Sequence, residues 1–118
     1  KKVNDQYGHE SGDIVLKHTV KVISESIRSS DYIIRWGGEE FLLLLFGCDI
    51  EIGAKIAEKI RANVESSDNT VCPITTSIGV AAYKGGNYHE TIEFADRALY
   101  RAKTEGRNRV VVYQEDEC

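Results

Sequence analysis

The chain has 118 residues, with one proline, no methionine and three cysteines, and its longest apolar run is Phe41 to Phe46. A helix that crosses a bilayer needs about 20 apolar residues, so a membrane-spanning segment is excluded. Cys48, Cys72 and Cys118 are odd in number and widely spaced. That fits reduced thiols in a cytosolic protein better than a disulfide framework or a zinc site. His9, His18 and His89 are scattered in the same way. Positive charge is not in excess: 15 Lys and Arg stand against 19 Asp and Glu, a net charge of −4. A general binder of duplex DNA or RNA is thereby disfavoured, though a local phosphate site is not. The opening Lys-Lys-Val-Asn-Asp-Gln is polar and has no signal-peptide character. With no initiator Met, the expectation is a segment of a longer protein.

What is present is ordinary globular material, 42% hydrophobic and 29% charged, which excludes a disordered or collagen-like chain. The length is that of one domain, 1–118. No internal repeat or low-complexity segment interrupts it. Residues 1–12 are rich in loop formers, and Asp13 is placed to cap a following helix. Leu16, Val20, Ile23 and Ile27 recur at helical spacing, with Lys17, Lys21, Glu25 and Arg28 on the wet side, predicting an amphipathic helix to about Ser29. Asp31 to Trp36 reads as a strand, Gly37-Gly38 as a tight hairpin turn, and Phe41 to Phe46 as a returning strand buried on both faces. Ile52, Ile56, Ile60 and Val64 mark a second helix. Pro73 opens a long strand, Ile74 to Tyr83, broken by Gly85-Gly86-Asn87. A third helix, Glu90 to Glu105, carries Ile92, Ala95, Leu99 and Ala102 on one face and ends at Gly106. Val110 to Tyr113 is a last strand. This order predicts an α/β (α+β) sandwich, with a mostly antiparallel central sheet flanked by helices.

The chemistry concentrates at Arg35-Trp36-Gly37-Gly38-Glu39-Glu40-Phe41. Adjacent carboxylates suit a hard cation such as Mg²⁺, and glycines let a phosphate approach the backbone. A hairpin turn with exposed acids is the competing reading. Between Asp96 and Arg109 the charge turns positive, through Arg97, Arg101, Lys103, Arg107 and Arg109. On charge alone that stretch is equally a solvated helix face.

Four motifs in order carry a resemblance: Asn4-Asp5-x-x-Gly8-His9-x-x-Gly12-Asp13, Arg28-x-x-Asp31, Gly37-Gly38-Glu39-Glu40-Phe41, and Tyr100-Arg101-Ala102-Lys103-x-x-Gly106-Arg107-Asn108. Together they resemble the GGDEF family of diguanylate cyclases over nearly the whole chain, with Glu39 where that family has Asp or Glu. The resemblance implies a nucleotide-cyclase-like fold and the condensation of two GTP molecules into cyclic di-GMP with release of pyrophosphate. A non-catalytic receptor domain for cyclic di-GMP or GTP is the alternative.

The resemblance also implies site residues. Glu39 and Glu40 would be the catalytic carboxylates and hold Mg²⁺, or Mn²⁺ in its place; which of the two is the base stays open. Asn4 and Asp13 match the guanine contacts, and an Asp carboxylate can accept from the N1–H and amine of guanine. His9 either touches substrate or shapes the loop. Gly37 and Gly38 would lie against the phosphates, and Lys103 and Arg107 match the triphosphate cations. Lys1 matches a further lysine near phosphate. Arg28 and Asp31, with Lys59 as an additional basic contact, match a site at which the product docks and inhibits. The implied partners are GTP, cyclic di-GMP, a second copy of the domain and an upstream sensor domain, with no nucleic acid. The implied location is cytoplasmic, in a parent protein that is free or membrane-attached. The family's first strand, which carries a metal-binding Asp, is missing from this sequence.

Overall fold

The computed structural model describes residues 9–29, 31–37, 40–68 and 71–114. Among them are three helices and four strands: α1 (His9–Ser24), β1 (Tyr32–Gly37), β2 (Glu40–Leu44), α2 (Ile50–Ser66), β3 (Ile78–Val80), α3 (Tyr88–Thr104) and β4 (Val110–Val112).

The described part of α1 opens four residues before Asp13. Asp13 is therefore an exposed residue inside the helix rather than its cap. Val15, Val22 and Ile23 are the buried side chains of α1. In α2 the cap is Asp49, whose carboxylate accepts the N–H of Ile52 at 2.9 Å. Its buried stripe is Gly53, Ala57, Ile60 and Val64. This stripe is turned away from Ile52, which stays 47% exposed. Asn87 caps α3 by accepting the N–H of His89 at 2.8 Å. The buried residues of α3 are the alanines Ala98 and Ala102.

The hairpin is antiparallel, pairing Tyr32 with Leu44, Ile33 with Leu43 and Ile34 with Leu42, with a register shift between Arg35 and Gly37. Side chains alternate across a strand. Accordingly Ile33 and Leu43 pack onto the core cluster of Val22, Ile23, Ile60 and Val64. Tyr32, Ile34, Leu44 and Phe46 remain exposed, so the expected burial of both hairpin faces is not met. None of the helices α1, α2 and α3 covers that second face.

β3 and β4 pair in parallel, Ile78 with Val110 and Val80 with Val112. The α+β class holds, with the described strands arranged as one antiparallel and one parallel pair. The long strand expected from Ile74 contracts to three residues. Its ladder is limited by β4, and the bonds Ile78 N–H to Arg109 O and Tyr113 N–H to Val80 O bracket it.

β3 is clamped between helices. Ile78 joins the core cluster with α1 and α2. Gly79, on the opposite face, lies against the backbone of Ala95 and Leu99 in α3. Because α3 rests on this glycine, its last turn, with Lys103, is held at a fixed height above the sheet.

Candidate active site

Asn4, Gly38 and Glu39 lie outside the described residues, as does Lys1, and His9 and Gly37 are described in backbone only. The structure brings together Glu40 and Lys103, which are 63 positions apart in sequence. Glu40 opens β2, paired across the hairpin with Gly37, and its Oε2 lies 3.6 Å from Nζ of Lys103 in the last turn of α3. The two side chains are 43% and 36% exposed. An ion pair this exposed contributes about 0–1 kcal/mol, so either partner can exchange the other for a ligand charge at little cost. A hard carboxylate oxygen and an ammonium at the mouth of one hairpin suit a cation and a polyphosphate respectively.

Arg107 follows α3 in a turn closed by the C-terminal glycine motif. Gly106 takes φ 131°, and the Arg107 N–H donates to the Ala102 carbonyl at 2.8 Å. Glycine was expected at this position. Arg107 itself is exposed with φ 63°. Asn108, at φ 47°, is fastened to α2: Arg61 Nη1 donates to its Oδ1 at 2.9 Å, and its Nδ2 donates to Glu65 Oε2 at 2.7 Å. Arg61 is in turn forked onto Glu58, at 2.8 and 2.5 Å, and bonded to Glu65 at 3.1 Å. These contacts, led by the hydrogen bond to Glu58, raise the Arg61 pKa further above its ordinary value, and the same bond lowers that of Glu58.

The second constellation is the Arg28–Asp31 corner between α1 and β1. The Asp31 side chain is fully buried. It accepts the backbone N–H groups of Arg28 and Phe46, each at 3.0 Å, and both Nε and Nη2 of Arg28 at 3.4 Å. The Phe46 N–H is the main cause that holds its carboxyl below the ordinary carboxylate value, with the Arg28 bonds adding to it and burial opposing it. Arg28 is shifted upward, chiefly by its bond to Asp31. Its guanidinium is 55% exposed and reaches the Phe46 carbonyl and, at 3.3 Å, the sulfur of Cys48. An open groove of about 490 Å³ lies beside it, lined by Val20, Ser24, Ile27, Arg28, Asp31 and Ile33 among others. Lys59 is exposed on α2 and takes no part in the contacts that bind Arg28 to Asp31.

The family profile described as "Diguanylate cyclase, GGDEF domain" matches residues 1–109. The chain belongs to the GGDEF family. It is 40% identical over 118 residues to diguanylate cyclase A of Treponema denticola, covering 95% of this chain and 32% of that protein. It is 47% identical over 120 residues to the probable diguanylate cyclase DgcT of Escherichia coli, covering 95% of this chain and 26% of that one. The chain thus spans about a third or less of these relatives.

Among solved structures, the active GGEEF domain of a diguanylate cyclase from Vibrio cholerae superposes with a TM-score of 0.87 at 31% identity, covering 97% of this chain and 76% of that one. The GGDEF domain of DgcB from Caulobacter crescentus, in complex with c-di-GMP, gives 0.85 at 34% identity, with 95% and 70% coverage. The nucleotide-cyclase-like fold expected from the motifs is therefore established. No helix among the described residues is long and apolar enough to cross a membrane.

Sequence reading missed Arg61, Glu65 and Asn108 as a unit. Asn108 was visible only as the end of the Lys103-x-x-Gly106-Arg107-Asn108 string, and nothing local joins it to residues 43 and 47 positions earlier.

Proposed function

We propose that this GGDEF domain condenses two GTP molecules into cyclic di-GMP. The 3′-oxygen of each GTP attacks the α-phosphorus of the other. Each attack forms one P–O bond, breaks the bond to the α–β bridging oxygen, releases pyrophosphate and transfers the hydroxyl proton to a base. The observation that best supports this reading is the meeting of the hairpin carboxylate Glu40 with the helix-end ammonium Lys103, in a chain of this family.

Lys103 and Arg107 neutralise the triphosphate and steer the leaving pyrophosphate. Gly37 and Gly38 admit the phosphates to the backbone, while Asn4 and Asp13 select guanine with His9 beside them. Glu39 and Glu40 hold Mg²⁺ or Mn²⁺; Glu40, with a half-exposed oxygen donor, fits such a cation. When bound, the cation supplies positive charge to the attacking and leaving oxygens. One of the two carboxylates accepts the hydroxyl proton. The domain works as a two-fold dimer with one GTP on each half, in the cytoplasm, under an upstream sensor domain. Cyclic di-GMP returns to the Arg28–Asp31 corner, assisted by Lys59, where an exposed guanidinium can stack on a base and grip phosphate.

Pyrophosphate release from GTP by the full-length protein tests the assignment. Replacing Glu40 with Gln keeps the shape and removes the charge. The Glu40→Gln protein should bind GTP and release no pyrophosphate, and retained turnover would contradict the role of Glu40. Binding of GTP or cyclic di-GMP without turnover in the unaltered protein would instead support the receptor alternative.

A further inference from the structure

We infer that Asn108 is a positioning residue for the triphosphate cation Arg107, acting through a clamp on α2. The inference rests on the reading of Arg107 given above and extends it to residues on another helix. Gly106, Arg107 and Asn108 occupy the left-handed region consecutively, at φ 131°, 63° and 47°. Glycine tolerates this region freely and asparagine better than most residues, but arginine does not. The Arg107 N–H bond to Ala102 belongs to the helix terminus and would close equally well around many side chains. The contacts of the next residue, Asn108, are more specific.

The Asn108 amide uses both its ends on α2. Its carbonyl faces the Arg61 guanidinium at 2.9 Å, and its NH₂ faces the Glu65 carboxylate at 2.7 Å. This donor–acceptor pattern fixes the amide orientation and admits no isostere. An Asp would set a second carboxylate against Glu65; a Leu would leave both partners unmatched. Arg61 is a firm anchor, because its side chain is only 17% exposed and Glu58 and Glu65 hold it from two further directions. Arg107 is the residue between the two fixed points, the Ala102 carbonyl before it and the α2 clamp after it. Its backbone is therefore held in a conformation that it would not adopt alone. On the far side, Arg109 Nε bonds the Arg107 carbonyl at 3.1 Å, which restrains the same peptide. Arg107 thus projects into solvent from a backbone that has little freedom left, an arrangement that lowers the ordering cost of binding a phosphate.

The test is a double-mutant cycle read by binding of guanosine 5′-[α,β-methylene]triphosphate, which cannot react, to the full-length protein. Arg107→Ala should weaken binding about tenfold, the loss of one charge-assisted contact. Asn108→Gly keeps access to positive φ and deletes only the clamp. It should weaken binding by roughly three- to tenfold while the thermal midpoint stays within a few degrees. The double variant should bind no worse than Arg107→Ala alone, because Asn108 acts through Arg107. Glu65→Ala, which removes half the clamp from an exposed side chain, should repeat the effect on a smaller scale and serves if Asn108→Gly fails to fold.

Wild-type affinity in Asn108→Gly and Glu65→Ala, or losses that multiply in the double variant, would overturn the inference while leaving Arg107 as a phosphate ligand. Unchanged affinity in Arg107→Ala would overturn the reading of Arg107 and the inference with it.

Discussion

Gly79 in β3 and Gly53 in the α2 helix packed against it should respond to the same substitution with opposite signs. A Cβ on Gly79 would stand 2.2 Å from the Ala95 carbonyl oxygen, 2.3 Å from the Leu99 nitrogen and 2.9 Å from the Leu99 Cα. Ordinary contact begins near 3.4 Å, and all three atoms are helix backbone, so no rotamer change relieves the clash. α3 must retreat by about 1.2 Å, separating the contacts of Ala98 and Ala102, which are 2% and 0% exposed. Overpacking of a well-filled site costs about 1–3 kcal/mol, and a clash with main chain belongs at the upper end or beyond.

For a domain of this size Gly79→Ala should lower the thermal midpoint by roughly 10 °C or more. At Gly53 in α2 the added Cβ would meet only Val80 Cγ1, at 3.8 Å. There Gly→Ala removes chain entropy from the unfolded state and fits the helix, adding about 0.5–1 kcal/mol. Thermal unfolding followed by far-UV circular dichroism reads both. A midpoint for Gly79→Ala within 2 °C of wild type, on the order of the measurement error, would refute the packing of α3 on β3 and the support it gives Lys103.

Asp31 ties stability to pH. Its folded-state pKa lies below the ordinary value of 3.8, so the stability it contributes is present above that value and is lost as pH falls through the folded value. The thermal midpoints of wild type and Asp31→Asn should therefore differ most at neutral pH and converge in the acid range below pH 3.8; a constant gap down to the acid limit would contradict the assignment. Arg28→Ala should relieve inhibition of the full-length protein by added cyclic di-GMP with little change in uninhibited turnover, since Arg28 and the Glu40–Lys103 pair belong to separate constellations. An unchanged inhibition curve would show that product does not use this corner.

Periodicity and turn residues were enough to place α1, α2 and α3, the hairpin and the glycine that terminates α3. Three features were not legible. Asp13 has the chemistry of a cap, yet the chain is already helical from His9, so a helix interior can carry the same residue type. The apolar run Phe41 to Phe46 does not reveal that α1, α2 and α3 leave one hairpin face open, and Phe46 is 51% exposed. The stretch Ile74 to Tyr83 has strand composition throughout, but only three residues find a partner in β4.

At the site, the Arg28-x-x-Asp31 spacing was readable as a pair. Burial of Asp31 by the backbone of Phe46 was not, because that contact spans 15 positions. Glu40 and Lys103 each stand in a motif, and only the fold puts them 3.6 Å apart.

The reaction is read without ambiguity from its product. The full-length protein, incubated with GTP and Mg²⁺, should yield cyclic di-GMP by mass spectrometry, with two pyrophosphates released per molecule formed, and the Glu40→Gln variant should yield none. A folded, dimeric protein that leaves GTP intact would refute the cyclase reaction, and the same product formed when Glu40 is Gln would refute the role of Glu40.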